Sequence, residues 1–465
     1  MVFIEKLKKA ELALSVDDVY LAPGLAEVDP QAVDLLTRFS TRVKLLIPLA
    51  SSPMDTVTEF EMAVAMALLG GIGVVHRNME IEKQVEIVKK VKEHPPIRTR
   101  VLYVEPDTPC GRVLEVMRDA GVRSMPVVSG GRVKGYVHYS EVKAVCRSGL
   151  EHPEPKPGEV FSIARLGEAK KLLLEGRLDA VALANFDGVY ISTLVYRDVM
   201  EETLPAVDES GRLVIAAAIS PFDRARALAL DRYADALVAD VAHFHNAEVL
   251  RVSRHLVKEL SSDFIVGNIA SRRAVEDIAS QLDRVDGFRV GLGGGSICTT
   301  PEVAGVYIPT LYAVAEVRDA AESLNLKAPV IGDGGIRTPG DIVKVLAAGA
   351  SVAMVGHMLA GTDEASAPLI AIGNKLYKPY RGMASEGAMV KRFAVDRYAR
   401  ISKKVAEGVE GLVEYKGSIY TFMSKVIEAV KAGFGYVGAR NIDELWRKAL
   451  FIAAKRGGVG VITQT

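Results

Sequence analysis

Among the side chains of this sequence, Cys298 has the setting best suited to covalent chemistry. Residues 289–300 read Arg-Val-Gly-Leu-Gly-Gly-Gly-Ser-Ile-Cys-Thr-Thr. A short apolar run enters a glycine series, and a thiol is then offered between hydroxyl side chains. Gly293, Gly294 and Gly295 let the backbone take positive φ and approach a ligand closely, whereas a structural cysteine usually sits inside an apolar run. A thiol with pKa near ~8.5 becomes a nucleophile when N–H groups or cations stabilise its thiolate. No Cys-His-Asn pattern surrounds it, and none is needed for addition to an already activated ring carbon. The spacing is not the Gly-x-Gly-x-x-Gly of a dinucleotide fold. Over these residues alone, a glycine-rich hairpin carrying an incidental thiol would look the same.

Two further glycine turns, Gly332-Asp333-Gly334-Gly335-Ile336 and Gly356-His357-Met358, have the composition of a phosphate site. Backbone amides freed by glycine can reach phosphate oxygens. Asp333 would repel a phosphate but suits ribose hydroxyls. A nucleoside monophosphate or sugar phosphate is the expected ligand. His243 and His245 lie two apart, but no third ligand has suitable spacing, so a structural or cofactor-facing role is preferred to metal. His76 reads as a hydrogen-bonded residue at a strand end, and Trp446 as packing within an amphipathic helix over 443–455. Residues 380–418 form a long polar excursion with the profile of a mobile flap.

These residues need a scaffold that gathers loop tips. Short apolar runs at 45–51, 71–76, 213–219, 236–241, 264–267, 288–292, 329–332 and 352–355 read as strands. Helical periodicity follows at 59–69, 81–93, 222–233, 247–260, 272–282, 310–324 and 339–348. The alternation predicts an α/β fold, a (β/α)8 TIM barrel, with an open doubly wound sheet as the alternative. Barrel chemistry collects after the strands, and here polar residues and glycines close the apolar runs at that end. Residues 95–203 break the alternation. Their two halves, 95–150 and 151–203, repeat one order of β segment, helix and β segments, divided by a Pro- and Glu-rich join. The barrel would then comprise 1–94 and 204–465.

Lys and Arg number 58, as do Asp and Glu, so charge gives no reason to expect a nucleic-acid partner. Charges interrupt each apolar run well short of the ~18 residues a membrane helix needs, and residues 1–10 lack a secretory core. A cytoplasmic protein is expected. Cys110, Cys146 and Cys298 lie far apart with no metal-type pairing, which predicts reduced thiols and no disulfide framework.

Together these motifs resemble the IMP dehydrogenase and GMP reductase family, most closely inosine monophosphate dehydrogenases, over nearly the whole chain. Ser15 to Pro23 is similar to the family's entry segment, and Ser51-Ser52-Pro53-Met54-Asp55-Thr56-Val57-Thr58-Glu59 to its first barrel loop. Gly293 to Thr300 resembles its catalytic loop, 332–340 its ribose-phosphate loop and Tyr380-Arg381-Gly382-Met383 its base-binding turn. The insertion resembles a tandem pair of CBS-type modules. What the resemblance implies is attack by Cys298 on C2 of inosine monophosphate, hydride transfer to NAD, and hydrolysis of the covalent adduct. It implies phosphate binding by Ser296, Gly335, Gly356 and Tyr380, ribose binding by Asp333, and base binding by Met383 and Glu407. Ser52, Met54, Gly334, His357 and Ala384 fall on the same substrate side. Asp240 and Asn268 would lie by the nicotinamide ribose with Gly291 and Gly293, and Thr300 near the attacking water. Arg397 and Tyr398 match a flap pair that activates that water. Main-chain carbonyls of Gly293, Gly295 and Cys298 match a potassium site. A homotetramer, and a regulatory nucleotide on the CBS-type modules, are also implied.

There are departures. Gly294 replaces a proline, Pro301 and Thr310 replace arginine and glutamine, and Ala384 stands for glycine. His357 occupies a usually small position, where an imidazole would either add a cation near the phosphate or crowd it. His243-Phe244-His245-Asn246 departs from His-Gly-His-Ser. In the insertion His138 stands for threonine, Glu141 for aspartate, and only Asp198 is clearly kept. GMP reductase, which uses NADPH and releases ammonia, is the nearest rival reading, and a catalytically inactive nucleotide sensor is another. Arg397-Tyr398 and the 407–418 pattern favour the dehydrogenase.

Overall fold

A computed structural model describes residues 9–162, 165–176, 178–185, 187–200, 204–383, 385, 388 and 408–453. The chain divides into two compact units, one comprising Met1–His94 with Pro205–Thr465 and the other Pro95–Leu204.

In the larger unit eight parallel strands close into a barrel, as the alternation predicts. They are β1 (Leu49–Ser51), β2 (Ile72–Val75), β3 (Ala216–Ile219), β4 (Ala236–Ala239), β5 (Asp263–Ile269), β6 (Gly287–Val290), β7 (Val330–Asp333) and β8 (Val352–Val355). β8 returns to β1 with Ala353 opposite Leu49 and Val355 opposite Ser51. Nearly every strand residue is buried on both faces, which explains unbroken apolar runs in place of alternation. Alanines at 50, 216–218, 236, 239 and 353 keep the narrow interior filled without crowding.

The outer helices are α1 (Phe60–Leu68), α2 (Ile81–Glu93), α3 (Arg224–Leu230), α4 (Ala247–Leu256), α5 (Arg272–Gln281), α6 (Thr310–Ser323), α7 (Pro339–Ala347) and α8 (Ile419–Val437). Their starts are written locally. Ser271 accepts from Ala274 N at α5, and Thr338 with Asp341 forms a capping box at α7. On α2 the buried Lys92 ammonium lies 3.0 Å from Asp208 and 2.7 Å from Asp235, joining the point where the chain leaves this unit to the point where it returns.

Three elements differ from expectation. The C-terminal helix ends at Lys448, and Phe451–Ala453 instead pairs antiparallel with Val19–Leu21. Consecutive apolar residues there suit a strand better than a helix face. The 380–418 excursion is rooted in an antiparallel sheet of β9 (Ile370–Ile372), β10 (Lys375–Arg381) and β11 (Glu410–Glu414). Then α8 runs 19 residues, ending on Gly438 in the left-handed region.

The smaller unit repeats one order of elements. Helix Cys110–Ala120, hairpin Ser124–Ser129 with Arg132–His138 and helix Tyr139–Ser148 are matched by helix Leu166–Leu174, strands Ala180–Ala184 with Tyr190–Val195 and helix Tyr196–Met200. The expectation of three free thiols is corrected here. Cys110 and Cys146 are disulfide-bonded, with Cα atoms 5.6 Å apart. The hairpin folds the two helices side by side, a proximity that a separation of 36 residues does not reveal. Asp198 is fully buried and accepts two hydrogen bonds from Arg100, at 2.8 and 2.7 Å. Among the described residues no helix is long and apolar enough to cross a membrane.

Candidate active site

The loops after β1, β5, β6, β7 and β8, with the end of β10, enclose a cavity of about 190 Å³ at the C-terminal mouth of the barrel. Ser52 and Met54 line it from the β1 loop, and Asn268 from β5. The loop after β6 contributes Gly291, Gly293, Gly295, Ser296, Cys298 and Thr300. Asp333 ends β7 and Gly334 and Gly335 follow it, Gly356 and His357 follow β8, and Tyr380 and Met383 close the side. Sixteen sequence candidates therefore share one space, although the ends of five barrel strands and of β10 supply them.

Cys298 is the free cysteine, half-buried, with Sγ 3.2 Å from Thr300 Oγ1. Its loop turns because Cys298 N donates to Gly295 O at 3.0 Å. Gly291, at φ 150°, packs so tightly on the β7 turn that a Cβ would stand 2.0 Å from Asp333 O. A Cβ on Gly356 would meet Met54 Sδ at 2.8 Å and Tyr380 Oη at 3.2 Å, which places the β1 loop, the β8 turn and Tyr380 against one another. Tyr380 hydrogen-bonds Ser296, and burial pushes its phenol up to about 12, so it is un-ionised at neutral pH. Met383 Sδ accepts from Asp55 N at 3.4 Å.

Asp240 takes a different place from its neighbours. It is buried beneath the cavity, where Arg289 Nη1 donates to it at 2.9 Å and Arg77 Nη2 donates to its carbonyl at 3.1 Å. Arg289 also donates through Nε to Asp333 Oδ2 at 2.9 Å, and Asn268 Nδ2 reaches the same oxygen at 3.0 Å. Burial works against the Arg289 charge, but Asp333 and Asp240 more than offset it and hold the guanidinium protonated. Sequence reading gave Arg289 no role. Its signal was a cation inside an otherwise apolar strand run, which needs paired anions.

A second, half-buried pair was also missed. Arg381 Nε and Nη2 donate to Asp55 at 3.0 and 2.5 Å, and Asn78 Nδ2 donates to it at 2.8 Å. The sheet end is stitched to the thiol loop as well. Gly382 N donates to Val409 O at 3.2 Å, and Val409 N to Ile297 O at 3.0 Å. The residues on either side of 384–407 thus meet beside Cys298. Ala384, Arg397, Tyr398 and Glu407 lie outside the described residues.

In the stretch that stands for His-Gly-His-Ser, two residues depart from the pattern, Phe244 and Asn246, and each has a local task. Phe244 is core, His245 Nε2 lies 2.7 Å from Asp277, and Asn246 caps α4 through Glu248 N and Val249 N. Burial and His245 hold the His243 imidazole below its usual range. No group of three His, Cys, Asp or Glu among the described residues is placed to hold a metal. His76 has both ring nitrogens engaged, by Glu59 at 3.2 Å and Asn78 N at 3.1 Å. Trp446 packs as expected, donating to Leu346 O under the Arg318 guanidinium.

The fold and site define a (β/α)8-barrel protein with a cysteine loop at its catalytic mouth. Residues 13–461 match the IMP dehydrogenase / GMP reductase domain family. The chain is 41% identical to the inosine-5'-monophosphate dehydrogenase of Korarchaeum cryptofilum, covering 98% of this chain and 97% of the relative. It is 39% identical to that of Methanocaldococcus jannaschii, covering 98% and 95%. Among solved structures, a cysteine-to-alanine GMP reductase of Trypanosoma brucei in complex with guanosine 5'-monophosphate aligns with a TM-score of 0.73 at 32% identity, covering 98% of this chain and 99% of that one. The chain belongs to the IMP dehydrogenase / GMP reductase family.

Proposed function

We propose that this protein is an oxidoreductase that converts inosine 5'-monophosphate to xanthosine 5'-monophosphate with NAD. The observation that carries the reading is that the Cys298 thiol and the turns after β7 and β8 face one cavity. A nucleotide held by those turns presents its base to the sulfur. Ser296, Tyr380 and the Gly335 and Gly356 amides hold the phosphate, Asp333 the ribose, and Met383 with Met54 the base. The Cys298 thiolate adds to C2 of the purine. After C2 loses hydride, water adds to C2, the C–S bond breaks, and sulfur leaves as thiolate. Thr300, beside Sγ, orients that water. Arg397 and Tyr398 are assigned to deprotonate it from the sequence pattern.

NAD, when bound, supplies the hydride acceptor. Its side of the cavity is formed by Asn268, Gly291 and Gly293, and Asn268 Oδ1 is buried without a hydrogen-bond partner among the described residues, an acceptor left for a ligand. For potassium, the carbonyls of Gly293, Gly295 and Cys298 offer the hard oxygen donors such a cation takes, in a loop bent by Gly293 at φ 77°. The insertion is read as a CBS-type pair that binds a regulatory nucleotide, and the assembly as a cytoplasmic homotetramer, which sedimentation would test.

GMP reductase is the second reading, favoured by the structural likeness to the trypanosomal enzyme. Nicotinamide absorbance separates the two. Reduction of NAD with inosine monophosphate is expected, and oxidation of NADPH with guanosine monophosphate alone would reverse the assignment. Arg397→Ala is expected to retain a hydride burst while hydrolysis stalls.

A further inference from the structure

We propose that Lys378 serves as a resident cation: its ammonium fills a cage of main-chain carbonyls and thereby positions the turn proposed to hold the purine. The proposal rests on the nucleotide reading above. Lys378 lies on β10 two residues before Tyr380, and strand alternation puts both side chains on the buried face. Its Nζ donates to Thr362 O at 2.7 Å, Ala365 O at 2.8 Å and Asp363 O at 3.0 Å. Lys92, buried on α2, meets two carboxylates instead. Three acceptors match the three N–H donors of an ammonium, and a neutral amine would leave one carbonyl unpaired. Burial lowers the proton affinity of Lys378, and the charges of Asp363, Glu364 and Glu61 act against that loss. A ring of carbonyl oxygens is also how a protein replaces the hydration shell of a monovalent cation.

The cage belongs to a closed circuit. Ser366, next after Ala365, donates through Oγ to Asp55 O at 3.0 Å. The Asp55 carboxylate accepts from Arg381, and its backbone N donates to Met383 Sδ. The path therefore leaves β10 at Lys378 and returns to the same strand at Arg381. On its other side the cage holds the start of α8, where Glu364 Oε2 accepts from Ile419 N at 2.8 Å. Removing the ammonium takes the donor from three carbonyls at once and leaves the segment bonded to Asp55 without its anchor.

The test is chemical rescue in the full-length protein at saturating potassium chloride, with choline chloride matching ionic strength. Lys378→Ala should raise KM for inosine monophosphate about tenfold with kcat within about threefold. Ethylammonium or propylammonium should return KM to within about threefold of wild type and raise the variant's melting temperature, while neither changes the wild type. Lys378→Met fills the same space without charge or donors, so it should show the KM loss and no rescue. Equal KM for Lys378→Ala and wild type, recovery by choline as well as by the primary amines, or wild-type KM in Lys378→Met would each overturn the proposal. Failure of both amines to restore KM would overturn the positioning role, and failure to raise the melting temperature as well would overturn the cage. If Lys378→Ala is obtained only unfolded, the amines should restore its refolding, and no effect there sinks the proposal equally. If the wild type does not turn over inosine monophosphate with NAD, the nucleotide reading fails, while the amine-dependent melting temperature still decides whether the cage takes a cation.

Discussion

Arg289 stands between two carboxylates, Asp240 at 2.9 Å and Asp333 at 2.8 Å, with the guanidinium buried. One side chain thereby fixes the carboxylate proposed for the nucleotide ribose and the one that the family resemblance placed by the dinucleotide. Arg289→Leu leaves two anions facing each other and should cost roughly 3–5 kcal/mol of stability in urea denaturation. Arg289→Lys keeps the charge but loses the fork, so it should fall between wild type and Arg289→Leu.

Tyr380 offers a test in pH. Its folded value near 12 lies above the ~10 of a free phenol, so its contribution is fully present below pH ~10 and lost as pH rises toward 12. The rate profile of the wild type should show no Tyr380 limb below pH ~10. Tyr380→Phe should raise KM for the nucleotide about tenfold by removing the bond to Ser296.

Asp55 works in the opposite sense. Burial alone would raise its carboxyl, but the hydrogen bonds and charge of Arg381, with Asn78, hold it below the usual range. Its contribution is present above pH ~4 and lost as pH falls through the lower folded value. Asp55→Asn should therefore lower the melting temperature at pH 7, and the gap from wild type should shrink below pH 4. Since Arg381 adjoins the turn proposed to hold the purine, KM should rise in the same variant.

The disulfide predicts a thiol count. Of three cysteines, one should react in the denatured, unreduced protein and all three after reduction. Closing a loop of 36 residues contributes about 4 kcal/mol by chain entropy, so Cys110→Ser should melt the smaller unit earlier while Cys298 chemistry persists.

Barrel strands were legible because parallel, doubly covered strands are written as apolar runs, and Val352–Val355 was delimited to the residue. The cavity-lining glycines and hydroxyls were legible because loop tips follow those runs. What escaped depended on partners distant in sequence. Arg289 gains its meaning from Asp240 and Asp333, and Arg381 from Asp55, 326 residues away. Lys375–Arg381 was hidden because it is half-exposed and carries polar residues through its length, and Phe451–Ala453 because its partner lies at the other end of the chain. Cys110 and Cys146 misled because spacing says nothing about which helices a hairpin lays together.

Lys92 has an architectural consequence. By binding Asp208 and Asp235 it seals the wall where the covalent path departs for more than a hundred residues. The barrel wall there is thus held shut by its own charges and does not depend on a covalent link across the gap.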